Sequence, residues 1–247
     1  MKRLVAYDLD GTLAQSKQPI GPDIAALLAR LTRLAVVAVI SGGDWPQFAS
    51  QLVGNLPPET DLDRLFLLPA SGTKLYRYRG GWDAVYAELF TDDERKRILR
   101  ALTGAVSQAG LDAGHSWGAR VEDRGSQITF SGLGQQAPLD AKKAWDADFA
   151  KRKRLQAALI PLLPGFAVRV GGSTSVDITR EGIDKAYGMA RLAEASGIAA
   201  ADMIFIGDAL YPGGNDHAVR AAGIDSVSVR DVVETLRVSE AIAFCLA

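Results

Sequence analysis

The sequence predicts an α/β protein: a doubly wound parallel sheet interrupted by an inserted α+β segment. Three observations predict this. Short apolar runs alternate with helix-spaced segments through the first third of the 247 residues, the same rhythm returns in the last quarter, and the stretch between follows a different order. Short apolar strands separated by helices must be covered on both faces, which is the condition of a parallel sheet.

Taken in order, residues 4–8 (LVAYD) read as a buried strand and 22–31 (PDIAALLARL) as a helix by their apolar spacing. Residues 34–41 (LAVVAVIS) form a β-branched run, 45–56 (WPQFASQLVGNL) a second helix and 64–71 (RLFLLPAS) a third strand. The middle begins with a helix at 91–110, where Thr91 suits an N-cap and Gly110 a stop. Strand-like pieces follow at 119–124 (ARVEDR) and 126–133 (SQITFSGL), then one long charged helix at 139–163, then strands at 166–172 (FAVRVGG) and 173–179 (STSVDIT). Helix 184–197, strand 203–209 (MIFIGDA), a short helix at 214–223 and strand 226–229 (SVSV) restore the first pattern. The expected division is therefore a Rossmann-like core at residues 1–82 and 183–247 around an α+β cap at 83–182, with glycines near Gly80–Gly81 and Gly182 at the joints.

Composition narrows the function. With 48% hydrophobic and 23% charged residues the chain can bury a core and stay dissolved. Its 28 basic and 29 acidic residues leave a net charge of -1, so no general field gathers nucleic acid or an anionic membrane. Cys245 is the single cysteine, which excludes an internal disulfide and a thiolate zinc site. No basic-then-apolar leader precedes the first strand and no apolar run nears the roughly 20 residues that span a bilayer. A soluble, cytoplasmic protein is expected.

The chemistry-bearing residues stand at strand ends. Asp8 and Asp10 close the first strand, where ligands of open α/β sheets bind. Two carboxylates this close repel unless a cation lies between them, and oxygen ligands suit a hard ion such as Mg²⁺. Asp208 and Asp216 in GDALYPGGND supply further carboxylates after a late strand. Ser41 with Gly42 offers a hydroxyl and backbone N–H groups to phosphoryl oxygens, and Lys185 near a helix start can neutralise phosphate charge.

The order of these elements, D-x-D-G-T, then a strand-end serine, then lysine, then G-D-x6-N-D, resembles the haloacid dehalogenase-like phosphotransferase superfamily. The insertion between serine and lysine matches its branch with an α+β cap, subfamily IIB. Within it, GDALYPGGNDHAV, VGGSTSVDITREGIDKAYG and ASGTKLY look most like eukaryotic-type phosphomannomutases and bacterial sugar phosphatases. The resemblance implies Asp8 as nucleophile and Asp10 as general acid and base. It implies Mg²⁺ held by Asp8, the Asp10 carbonyl and Asp208, with Asp216 behind them, and Ser41 and Lys185 on the phosphoryl group. For substrate it implies Lys17, Gly42 and Asn215 in the core and Arg124, Ser175 and Asp177 in the cap, and it allows a homodimer through the cap. Trp117 stands at another arginine position of the family, with Arg120 nearby, and Ser41 replaces a glycine of the mutases.

A Mg²⁺-dependent phosphatase acting on a phosphorylated sugar or similar metabolite is the first expectation. A phosphomannomutase or phosphoglucomutase using the same nucleophile is the alternative, and a silent sugar-phosphate sensor a third. No nucleic-acid or membrane partner is expected: the basic run at 151–154 reads as a solvated helix face, and His115 and His217 have no partner at ligand spacing.

Overall fold

The structure, a computed structural model, describes residues 2–247. Two compact units divide the chain, Met1–Ala87 with Asp184–Ala247, and Glu88–Ile183. From the N-terminus the chain lays down β1 (Leu4–Tyr7), α1 (Pro22–Leu34), β2 (Val36–Ile40), α2 (Trp45–Gln51), β3 (Leu65–Leu68), β4 (Lys74–Tyr78) and β5 (Trp82–Ala87). The inserted unit adds α3 (Asp92–Gln108), β6 (Val121–Asp123), β7 (Ile128–Ser131), α4 (Leu139–Trp145), α5 (Ala150–Leu159), β8 (Phe166–Val170) and β9 (Ser175–Arg180). The first unit resumes with α6 (Lys185–Ser196), β10 (Met203–Gly207), α7 (His217–Ala221), β11 (Ser226–Ser228) and α8 (Val232–Leu246).

The first unit is a seven-stranded sheet in the order β11-β10-β1-β2-β3-β4-β5. Pairs from β11 to β3 are parallel, and β4 and β5 are antiparallel. Alternation along β1 shows why the sheet needs helices on both faces. Val5 and Tyr7 join a core with Ile24 and Leu28 of α1 and Ala243 of α8. Leu4 and Ala6 join another with Met189 and Leu192 of α6. Burying a large apolar side chain of this kind contributes about 1.5–3 kcal/mol. The chain runs β1 to β2 to β3 in one direction and returns to β10 and β11 on the other side of β1. That reversal opens a crevice beyond the carboxyl ends of β1 and β10, the usual ligand position in such sheets.

Two features of this unit depart from the expectation. Residues 83–87, expected in the insertion, lie in β5 and pair with β4, so the unit boundary falls after Ala87 rather than at residue 82. Gly80, at φ 76°, belongs to the turn of that hairpin and not to a joint between units. The C-terminal helix α8, which the sequence reading did not include, is capped by Asp231, whose side chain accepts the Glu234 N–H at 2.9 Å.

The inserted unit has a four-stranded antiparallel sheet, β6-β7-β9-β8. Ile98 and Leu102 of α3 and Leu155 and Leu159 of α5 pack with Ile128, Phe130, Val176 and Ile178. Thr91 and Glu94 form a reciprocal cap on α3, as the T-x-x-E spacing allows. The single helix expected at 139–163 is two, broken where Phe149 takes a left-handed φ of 65°. The break is stabilised by Asp146. Its carboxylate accepts the Lys151 and Arg152 backbone N–H groups at 2.8 and 3.1 Å and Arg152 Nε at 2.7 Å. Arg152 also donates to the Gly171 carbonyl at 3.0 Å and to Gly172, fixing the turn between β8 and β9. With Arg152 2% exposed, the solvated-face reading of residues 151–154 fails there and holds for Lys153 and Arg154. Burial would raise the Asp146 carboxyl, but these donors outweigh it and hold it below the ordinary range. No helix among the described residues is long and apolar enough to cross a membrane.

Candidate active site

The apolar run of β1 ends by placing Asp8, 3% exposed, beside Lys185 and Asp216, which are buried as well. Lys185 opens α6 because Asp184 caps that helix, accepting the Tyr187 N–H at 3.0 Å. Its ammonium donates to Asp8 Oδ1 and to Asp216 Oδ1, the latter at 2.5 Å. Asp216 Oδ2 accepts the Ala209 N–H at 3.0 Å, which ties the loop after β10 to its own strand end. Oxygens of Asp8, Asp208 and Asp216 lie within 4.8 Å of one another. Thr12 Oγ1 lies 3.4 Å from Asp8 Oδ2 and 3.5 Å from Asp208 Oδ1, so the threonine of D-x-D-G-T spans two of the carboxylates. Gly11, at φ 94°, has to be glycine twice over: a Cβ there would also collide with the Asp208 carboxylate.

The electrostatics follow from burial. Desolvation raises Asp8 well above the ordinary carboxylate range, Asp216 and Asp208 add to the rise, and Lys185 opposes it. Asp208 is raised by burial and then by Asp216. Lys185 is raised in spite of burial because Asp216 and Asp8 face it. Three carboxylates against one ammonium, with oxygen donors throughout, fit a hard divalent cation, which would relieve the repulsion that raises Asp8 and Asp208.

Neighbouring elements complete the pocket. Ser41, buried after β2, accepts the Gly43 N–H at 3.2 Å through Oγ, and Gly42 lies between them. This loop is braced by the segment after β3, where the Ala70 and Ser71 N–H groups donate to the Gly43 and Ser41 carbonyls at 2.8 and 2.9 Å. Ala70 and Ser71 take left-handed φ values of 50° and 59° to do so, a strain of a kind that collects at functional sites. Asp10 accepts the Lys17 backbone N–H at 2.7 Å, so that interaction with Asp10 runs through the Lys17 main chain. Asn215 is exposed on the loop that leads to Asp216. Asp8, Asp208, Asp216 and Lys185 are thus brought together, with Asp10 and Ser41 on adjoining loops of the same unit.

In the inserted unit, Arg124, Asp177 and Ser175 lie on or beside the sheet. Asp177 stands opposite Thr129 in the β7–β9 register and accepts its Oγ1 at 2.7 Å. Burial raises the Asp177 carboxyl, against the pull of Arg124. Arg124, buried, pairs with Glu122 at 2.7 Å. Ser175 stands opposite Ser131. Trp117 packs edge-on against His115 at 4.4 Å. Arg120 is committed elsewhere: it donates to the Gly132, Ala113 and Gly114 carbonyls at 3.1, 3.0 and 2.9 Å and to Asp112, pinning the loop before β6. Sequence reasoning missed Gln127, just before β7, and Thr129 in it, and Gln47 and Gln51 on α2, which both bond Asp10. The alternation of polar residues with Ile128 and Phe130 was visible in the sequence, but the burial of the polar ones was not.

Comparison with solved structures places the fold in the haloacid dehalogenase-like class. A haloacid dehalogenase-like hydrolase from Bacteroides thetaiotaomicron superposes with a TM-score of 0.64 at 18% identity, covering 98% of this chain and 100% of the other. Plasmodium falciparum IMP-nucleotidase gives 0.72 at 15%, covering 98% of this chain and 70% of that one. Likeness at that identity speaks for the fold alone. The profile of the eukaryotic phosphomannomutase family matches residues 24–242, and the chain belongs to that family. Phosphomannomutase from Schizosaccharomyces pombe is 26% identical over 227 residues, 88% of this chain and 85% of its own. Homo sapiens phosphomannomutase 1 is 26% identical over 247 residues, 95% of this chain and 90% of its own. The chain is therefore an enzyme of the phosphomannomutase and phosphatase kind, and these relatives fit the mutase alternative better than the pure phosphatase that the sequence put first.

Proposed function

We propose that the protein interconverts hexose 1- and 6-phosphates through a hexose bisphosphate, as a phosphohexomutase: Asp8 takes one phosphoryl group of the bisphosphate and gives it to the free hydroxyl of a hexose phosphate. The observation that carries this reading is the buried Asp8 carboxylate held between Lys185 and two further carboxylates. In the first step an Asp8 oxygen bonds to phosphorus as the bond from phosphorus to the sugar oxygen breaks, and Asp10 gives that oxygen a proton. In the second, the accepting hydroxyl loses its proton to Asp10 as it takes the phosphoryl group from Asp8. Lys185 and the Ser41 loop offset the charge that develops on the phosphoryl oxygens. Asp8, the Asp10 carbonyl and Asp208, backed by Asp216, would hold Mg²⁺, which when bound offsets phosphate charge and orients it toward Asp8. Arg124, Ser175 and Asp177 are the proposed contributors to sugar choice, and the substrate and setting are a diffusible phosphate ester in the cytoplasm.

One observation favours a second reading, release of the phosphoryl group to water. The Ser41 hydroxyl is buried at the end of β2, next to Gly42, and the resemblance implies glycine there in the mutases and a hydroxyl in the phosphatases. Mannose 1-phosphate and glucose 1-phosphate, each with Mg²⁺ and a trace of the hexose bisphosphate, separate the two when isomerisation and phosphate release are followed together. Isomerisation in excess of release is expected; release alone selects the phosphatase, and neither reaction on any hexose phosphate rejects both.

A further inference from the structure

Asp10 is bound on both oxygens. Its Oδ1 accepts the Lys17 backbone N–H at 2.7 Å and Gln51 Nε2 at 2.9 Å, and its Oδ2 accepts Gln47 Nε2 at 2.7 Å. Gln47 donates its other amide hydrogen to Gln51 Oε1 at 2.9 Å. The two glutamines are one turn apart on α2, so they share a face. Gln51 is buried, and its main-chain carbonyl accepts the Ile20 N–H, which fixes the end of the helix. The ring of three side chains permits one orientation of each amide, because turning either would point a carbonyl oxygen at a carboxylate.

A carboxylate oxygen has two lone-pair directions. On Asp10 both directions of Oδ1 are filled by these donors, whereas Oδ2 has one donor among the described residues. We propose that Gln47 and Gln51 are positioning residues for proton transfer: they fix the carboxyl plane of Asp10 and leave the second lone pair of Oδ2 as the seat of the moving proton. From there it passes to the departing sugar oxygen as the phosphorus–oxygen bond breaks, and there it returns from the attacking hydroxyl. The proposal rests on the reading of Asp10 as acid and base.

The test compares Gln47→Met, Gln47→Glu, Gln51→Met and Asp10→Asn on two substrates. A hexose 6-phosphate has an alkoxide leaving group that needs a proton; p-nitrophenyl phosphate has a phenolate that needs little help. The expected result for the methionine variants is a kcat loss on the sugar phosphate of about 10–100-fold, a part of the 10²–10⁴-fold that proton transfer is worth. That loss should exceed the loss on the aryl phosphate about tenfold while KM on the sugar phosphate shifts little. Gln47→Glu, which keeps the size and puts a like charge against Asp10, should lose more than Gln47→Met. Equal losses on both substrates, or losses confined to KM, with Asp10→Asn still discriminating between them, overturn the positioning role alone. If Asp10→Asn itself does not discriminate, the acid role falls and this proposal with it. Thermal melting of each variant identifies one that does not fold, and the partly exposed Gln47 carries the test if Gln51→Met is that one.

Discussion

In the core unit, the carboxylates of the site gather beyond strand ends: β1 and β10 are apolar until they stop, and Asp8 and the half-buried Asp208 follow at once, with Lys185 at the start of α6 and Asp216 before α7 facing them. In the inserted unit, buried polar groups are spread across a sheet face, with Gln127 just before β7 and Thr129 and Ser131 in it alternating with Ile128 and Phe130. The core cluster sets three carboxylates against Lys185 and leaves Asp8 and Asp208 raised. The insertion satisfies its main buried charge from within, as Asp146 with Arg152 shows. Excess like charge is what a bound cation would offset, and a self-satisfied pair is architecture.

The largest expected effect follows from that excess. Asp8→Asn should lower turnover by more than about 10³-fold, because an amide cannot serve as the phosphoryl acceptor. The ionised Asp8 costs folding free energy at neutral pH, since burial, with Asp216 and Asp208, holds it above the ordinary range against the pull of Lys185. In excess chelator the same variant should therefore melt higher, each kcal/mol of relief raising Tm by about 2–4 °C. A lower melting temperature would break the comparison. Next, chelation should abolish turnover, Mg²⁺ should restore it, and Ca²⁺ should do so poorly because its larger and looser shell does not fix the same geometry. Full activity in excess chelator would remove the reason for the acidic cluster.

In the insertion the expected losses are of stability. Arg152→Met strands the Asp146 carboxylate, 0% exposed in its side chain, and should cost about 3–5 kcal/mol in urea unfolding. The neighbouring exposed Lys153→Met should stay within about 0.5 kcal/mol. Equal costs would mean that the pair is not what fixes the turn between β8 and β9. The smallest effect belongs to Glu94. The Arg180 hydrogen bonds and the Thr91 N–H hold its carboxyl down, from 4.5 to about 2. A depressed carboxyl stabilises the fold above its unfolded value and loses that contribution as pH falls through the folded one. Glu94→Gln keeps a capping side chain and should cost about 0.2–1 kcal/mol at pH 7, the screened worth of a partly exposed pair. The difference from the parent should shrink as pH falls from about 4.5 toward 2; a constant difference would show that the charge is not responsible.

The same contrast explains what the sequence made legible. A carboxylate that stops an apolar run stands out, so Asp8, Asp10 and Asp208 were candidates from position, while Asp216, Ser41 and Lys185 gained weight only from the order of the motifs. Polar residues alternating along β7 read like any strand with one wet face, and nothing in that alternation tells burial from exposure. Gln47 and Gln51 had the same difficulty on α2, where two glutamines four apart resemble a solvent-facing stripe. The break at Phe149 was hidden because residues 139–163 hold no glycine and no proline before Pro161. An ion pair between residues six apart, Asp146 and Arg152, overrides the helical propensity there. The β4–β5 hairpin was readable in principle from Gly80–Gly81 between two aromatic-rich runs.

The most direct test of the central claim is to mix the enzyme with Mg²⁺ and a hexose bisphosphate labelled in phosphate, quench within a turnover, and map the label by peptide mass spectrometry. The label should sit on Asp8, leave on chasing with unlabelled hexose phosphate, and be absent from Asp8→Asn. Turnover at the full rate with the label on another residue, or on none, would contradict the account.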